Sequence, residues 1–154
     1  MSSKKATLKF SEDPDLELES SEGLNKDLII INTTKRKDTI ENIRRNLGLW
    51  MNNHNFEKFR SRKIDLAIIL YLDKKRYNSQ DLDNISKIVL DSLQKDIKNI
   101  NTPYLIENDS QIVRLLLYKL PRTELKNINS NSLVISFRLH DPKKDMLLIN
   151  KNTI

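Results

Sequence analysis

Cysteine is absent from this chain of 154 residues, which excludes disulfides, thiolate metal sites and cysteine nucleophiles. Histidine is almost absent too. His54 and His140 are the only two and lie far apart, so a histidine-rich zinc centre is not expected and any metal would be a hard cation on oxygen ligands. The only glycines, Gly23 and Gly48, leave no glycine-rich phosphate loop. No run of about 18 apolar residues exists, so no membrane span is expected. The opening "MSSKKATLKF" has lysines with no apolar stretch behind them, which argues against a secretory leader. No serine stands in a nucleophile-elbow setting.

What the chain does have is charge, unevenly placed. The net charge is +6, which favours a polyanionic partner, nucleic acid being the simplest. Residues 1–27 are rich in acids (Glu12, Asp13, Asp15, Glu17, Glu19, Glu22, Asp27). Residues 33–63 reverse this with Lys35, Arg36, Lys37, Arg44, Arg45, Lys58, Arg60, Arg62 and Lys63.

Hydrophobic periodicity organises the rest. Short apolar runs predict strands near 27–32, 63–72, 110–120 and 132–140, with a further short strand around Ala6–Phe10. Ile40, Ile43, Leu47 and Trp50 recur at helical steps, predicting a helix near 37–54 with Trp50 in the core. Ile85, Ile88, Val89 and Leu93 predict a second, near 83–97. "DKKRYNSQ" reads as a polar connection, and "RTELKNINSN" as the loop of a hairpin joining the last two strands. The expected fold class is α+β, a small mixed sheet packed with two main helices.

The segment "QDLDNISKIVLDSL" (80–93) carries the chemistry-bearing pattern. Asp83, Lys87 and Asp91 fall on one helix face at four-residue steps, and Asp81 precedes the helix. One carboxylate suffices to cap a helix start. Two neighbouring carboxylates repel unless a cation intervenes, and a hard divalent ion such as Mg2+ takes oxygen ligands from such a pair. Asp109, in "ENDSQIV", would add a third carboxylate if the next strand begins beside them. An EF-hand loop starting at Asp81 does not fit, because Ser86 stands where its glycine is needed.

Asp81, Asp83, Asn84 and Lys87, then "LDSL" at Leu90–Leu93, then "NDSQIV" at Asn108–Val113, together resemble the RusA-type Holliday-junction resolvases. The signature of that family is D-x-D-N-x-x-K leading into a helix with L-D-A-L, then D-D-x-Q-V at a strand start. Asn108 stands in place of the first aspartate of the last block, and the connection from Leu93 to Glu107 is longer than usual. The resemblance covers roughly residues 27–140, leaving 1–26 as a partly ordered N-terminal extension and 141–154 as a C-terminal tail. It implies a Mg2+-dependent endodeoxyribonuclease, with Mn2+ as a substitute, that nicks four-way junctions in recombination and repair. It also implies a homodimer and a cytoplasmic protein, bacterial or phage-encoded. Asp81, Asp83 and Asp109 would be the metal ligands and Lys87 a catalytic cation. Asn84 would fix the turn, and Asp91 would be either a partner of Lys87 or a surface acid. Lys35, Arg36, Lys37, Arg44 and Arg45 would grip phosphates. Two rival readings are a branched-DNA-binding protein without catalysis and a metal-dependent phosphatase or nucleotide hydrolase.

Overall fold

β4 (Ile64–Leu72) is the centre of the molecule. All nine of its residues are buried, as expected of a strand paired on both edges and covered on both faces. The computed structural model describes residues 8–9, 16–18, 29–30, 35–52, 57–124, 130–143 and 148–149. Along one edge β4 pairs in parallel with β5 (Ile112–Pro121), Ile64 opposite Ile112 and Leu72 opposite Pro121. Along the other it pairs antiparallel with β6 (Ser132–Leu139), which also carries β2 (Leu16–Leu18) and β3 (Ile29–Ile30). The sheet order is β2-β6-β4-β5. A separate two-stranded ladder joins β1 (Leu8–Lys9) to β7 (Leu148–Ile149).

The expected hairpin between the last two strands is not formed. β5 and β6 flank β4 on opposite sides, because the mostly apolar "KIDLAIILYL" is buried on both faces and takes the central place. A parallel β4–β5 pair needs a crossover, and the segment between them supplies two helices. The first, α2 (Lys74–Ser79), occupies the expected polar connection. Asp73 caps it, its carboxylate accepting from the Arg76 backbone N–H at 2.8 Å. The second, α3 (Leu82–Leu93), stops four residues before the expected 97. The Leu93 carbonyl there accepts from the Leu105 and Ile106 N–H groups, so the chain leaves the helix to form a loop ladder.

α1 (Arg36–Met51) and α3 lie on one face of the sheet. Ile43, Leu47 and Trp50 from α1 meet Ile85, Val89 and Leu93 from α3 over Leu66, Ile68 and Leu70, and Trp50 is a core residue as expected. Phe137 lies edge-on to Trp50 at 5.6 Å and to Phe59 at 5.0 Å. Gly48 costs α1 up to about 1 kcal/mol in helix propensity. It lets the following loop close in, since a Cβ there would stand 3.1 Å from Pro103 Cγ. The opposite sheet face carries Ile69, Tyr71 and Val134. No helix among the described residues is long and apolar enough to cross a membrane.

Candidate functional site

α3 begins at Asp81, whose Oδ1 accepts from the Asp83 N–H at 2.9 Å and so satisfies one open donor of the first turn. Asp83 follows within that turn, and its Oδ2 lies 3.1 Å from Lys87 Nζ, one turn on. Both side chains of this pair are largely exposed, so the pair itself stabilises the helix by about 0–1 kcal/mol at most. Its carboxylate and ammonium therefore remain available to a ligand at little cost. The entry to α3 is held from below. Lys119 of β5 donates to the Gln80 carbonyl at 3.0 Å and lies over the Tyr77 ring.

A cavity of about 410 Å3 opens beside this corner, between the start of α1, α2 and the first turns of α3. Arg36, Arg76 and Lys87 line it against a single carboxylate, Asp81, with Asn84 on the wall. Arg76 is the buried member, 8% exposed, and its Nε donates to Gln80 Oε1 at 2.9 Å. Burial pushes its guanidinium pKa down, and the nearby Asp73 carboxylate offsets this in part. Arg76 lies outside the segments singled out in the sequence. Its only signal was the last of three successive cations, Lys74, Lys75 and Arg76, in a connection that reads as polar.

The remaining expected site residues are placed differently. Asp91 pairs with Arg36 across the two helices and not with Lys87. Arg44 is committed to the end of α3, donating to the Asp91 and Ser92 carbonyls at 3.2 and 3.4 Å and lying 3.7 Å from Asp96. Those carbonyls are orphans of the helix terminus, so Arg44 is a cap before it is a phosphate ligand. Lys35, Lys37 and Arg45 are exposed on α1 or at its start.

Asp109 is not beside Asp81 and Asp83. It opens a short 3-10 turn, Asp109–Gln111, capped by Asn108, at the start of β5 and level with the start of β4. Lys63, just before β4, donates to the Ser110 carbonyl, and buried Gln111 donates to the carbonyls of Phe59 and Arg62. Asp81 lies at the opposite end, where β4 has finished and Lys119 reaches Gln80. The seven steps from Ile112 to Lys119 span about 23 Å, and the twelve residues of α3 about 18 Å. The convergence expected from the sequence is therefore absent within one chain. Among the described residues no three acids or histidines are grouped to hold a metal ion.

No family model and no curated protein matches the chain. The RusA resemblance thus stands on the three short blocks themselves.

A different carboxylate does gather partners. Asp65, fully buried on β4, accepts from Arg138 Nε at 3.1 Å and lies 2.8 Å from His140 Nδ1. Arg114 approaches to 3.7 Å from β5. Cross-strand register puts them together, since Arg138 and Arg114 stand opposite Asp65 on the two neighbouring strands. This cluster ties three strands under the sheet and is remote from the α3 corner.

Proposed function

We propose that the protein is a metal-dependent endodeoxyribonuclease that works at the start of α3, with branched DNA of the four-way-junction class as substrate. The observation that carries this reading is the corner itself: two carboxylates at the start of α3, a lysine one turn away and a cavity lined by three cations and one acid. The substrate class comes from the resemblance of the three sequence blocks.

The donor set fits a hard divalent ion. Asp81 and Asp83 would hold such an ion, since Mg2+ is commonly bound through one or two carboxylates together with water and substrate phosphate. When bound, such an ion lowers the pKa of a coordinated water and offsets charge developing on the phosphate. Lys87 supplies a cation for that charge from the exposed face of α3. Asn84 lies in the same turn, where it shapes the cavity wall. Exposed Lys35, Lys37 and Arg45 carry the flanking backbone, giving affinity that falls with salt.

Asp109 can serve this corner only from a second copy, because its own opens β5 at the end of the sheet away from the start of α3. β5 is the edge strand on the Asp109 side, and Val113 and Leu115 stand exposed on it at 46% and 38%. Pairing of two copies there forms a homodimer with two corners, the arrangement that paired nicks across a two-fold junction require.

The test is nicking of an end-labelled synthetic junction, compared with linear duplex and a free nucleotide, in Mg2+ and in EDTA. Junction nicking that disappears in EDTA and in Asp83→Asn supports the reading. Mixing the double variant Asp81→Asn/Asp83→Asn with Asp109→Asn distinguishes the dimer model. A site completed in trans regains one active corner in the mixed dimer although each variant alone is inactive, whereas a site complete within one chain, needing only Asp81 and Asp83, leaves Asp109→Asn active without mixing. Junction binding with no nicking under any metal would leave a non-cleaving branched-DNA binder.

A further inference from the structure

We infer that the cavity between α1, α2 and α3 is a subsite for one backbone phosphate of a nucleic-acid strand, anchored by Arg76. The inference rests on the proposed nuclease reading for its ligand class, and concerns a position beside the carboxylate pair. The cavity brings Arg36, Arg76 and Lys87 together from three helices, with Asp81 the one acid in its lining and Asp91 and Asp83 paired to Arg36 and Lys87 beside it. Arg36 and Lys87 are each held by an exposed ion pair, to Asp91 and Asp83, so both can turn toward an incoming anion without losing a buried partner. Arg76 cannot turn away. It is 8% exposed and fixed by its Nε bond to Gln80, so its charge is already directed at the lining before a ligand arrives.

The size fits a small group. Ligand pockets run from about 300 to 1,000 Å3, and about 410 Å3 holds a nucleotide-sized unit and not a duplex. Ile85 gives the cavity an apolar wall against which a sugar can rest. A guanidinium also suits a phosphate better than an ammonium does, because its planar fork donates to two oxygens at once. An anion entering beside Arg76 offsets the cost that burial places on its charge, as Asp73 already does in part.

Gln80 connects this subsite to the corner. It accepts from Arg76 Nε and donates through its own amide to the Asp81 carbonyl at 3.0 Å. A phosphate on Arg76 is thereby registered against the first residue of the carboxylate pair. Its neighbour along the strand is then the phosphate presented to Asp81 and Asp83.

The experiment is a titration of the full chain with inorganic phosphate and with the dinucleotide dTpdT in EDTA, followed by 15N-resolved NMR of the Arg76 Nε–Hε and Gln80 and Asn84 side-chain amide signals. Saturable shifts confined to these groups at millimolar ligand are expected, and Arg76→Met abolishes them. Arg76→Lys retains them in part. Junction affinity in calcium falls about tenfold in Arg76→Met, and the slope of log affinity against log salt decreases by about 1. Lys98→Met, which removes an exposed cation on the loop after α3, changes neither. Absence of saturable shifts with either ligand overturns the subsite, as do shifts that persist unchanged in Arg76→Met. Because neither readout involves cleavage, phosphate shifts without nicking would keep the subsite and remove the nuclease reading. Nicking without the shifts would do the reverse. If Arg76→Met does not fold, the wild-type titration and Arg76→Lys still decide.

Discussion

Asp65 and Asp83 each have a cationic nitrogen 3.1 Å from a carboxylate oxygen, and there the likeness ends. Asp83 and Lys87 are 71% and 65% exposed, in water that screens their attraction and hydrates both when they part. Asp65 is fully buried and Arg138 is 3% exposed, so separating them leaves a desolvated charge. The buried cluster belongs to the architecture and the exposed pair is open to a ligand. Equal distances therefore carry opposite functional meanings, and burial decides between them.

The largest expected effect breaks the comparison on its buried side. Asp65→Asn leaves Arg138 enclosed without its counter-charge and destabilises the fold by about 3–5 kcal/mol, read from urea unfolding. In a double-mutant cycle, Arg138→Met recovers part of that loss. A cost below about 1 kcal/mol would place Asp65 with the exposed pairs.

The exposed side responds in activity instead. Asp81→Asn and Asp83→Asn reduce junction nicking at least about a hundredfold, while stability changes by no more than about 0.5 kcal/mol. Asparagine caps a helix about as well as aspartate, so Asp81→Asn removes the charge and keeps the cap. Stopped-point nicking assays and unfolding curves on the same preparations check this. Loss of stability in step with loss of nicking would return the pair to helix-start charges.

Two groups of cations sharpen the contrast further. Arg44→Met costs about 1 kcal/mol through the lost carbonyl caps of α3 and leaves the salt slope of junction binding unchanged. Replacing Lys35, Arg36 and Lys37 together lowers that slope by up to about 3 with little change in stability. The reverse pattern would exchange the cap and the DNA contact.

The smallest effect is expected at Asp73. The Arg76 backbone N–H and the Asn131 amide both donate to its carboxylate, holding its pKa below the ordinary 3.8. A depressed folded pKa adds stability above the unfolded value, and that stability is lost as pH falls through the folded one. The wild type should therefore melt above Asp73→Ala at pH 6, with the gap closing below about pH 3.8. A gap that does not change with pH would assign the effect to lost packing.

Much of the fold was legible. The mostly apolar run of 63–72, broken only by Asp65 after Lys63, pointed to a central strand, because a strand covered on both faces loses the apolar–polar alternation of a half-exposed one. Ile43, Leu47 and Trp50, like Ile85, Val89 and Leu93, marked the buried stripes of α1 and α3. The cap at Asp81 and the Asp83–Lys87 pair were also readable, since both are local and depend only on helical spacing.

What the sequence could not settle was every relation between segments distant in the chain. Hydrophobic pattern says that a strand exists and which residues share a face, but not which neighbour it pairs with. β5 and β6 could have formed a hairpin; instead each takes one edge of β4. That choice places Asp109 at the opposite end of the sheet from Asp81, and gathers Arg114 and Arg138 around Asp65. Arg76 became a cavity residue only because α2 folds against the start of α3. Local spacing fixes what lies within one turn of a helix. Which carboxylates meet which cations across the fold is decided by strand order and register, through burial that removes water from some charges and leaves it on others.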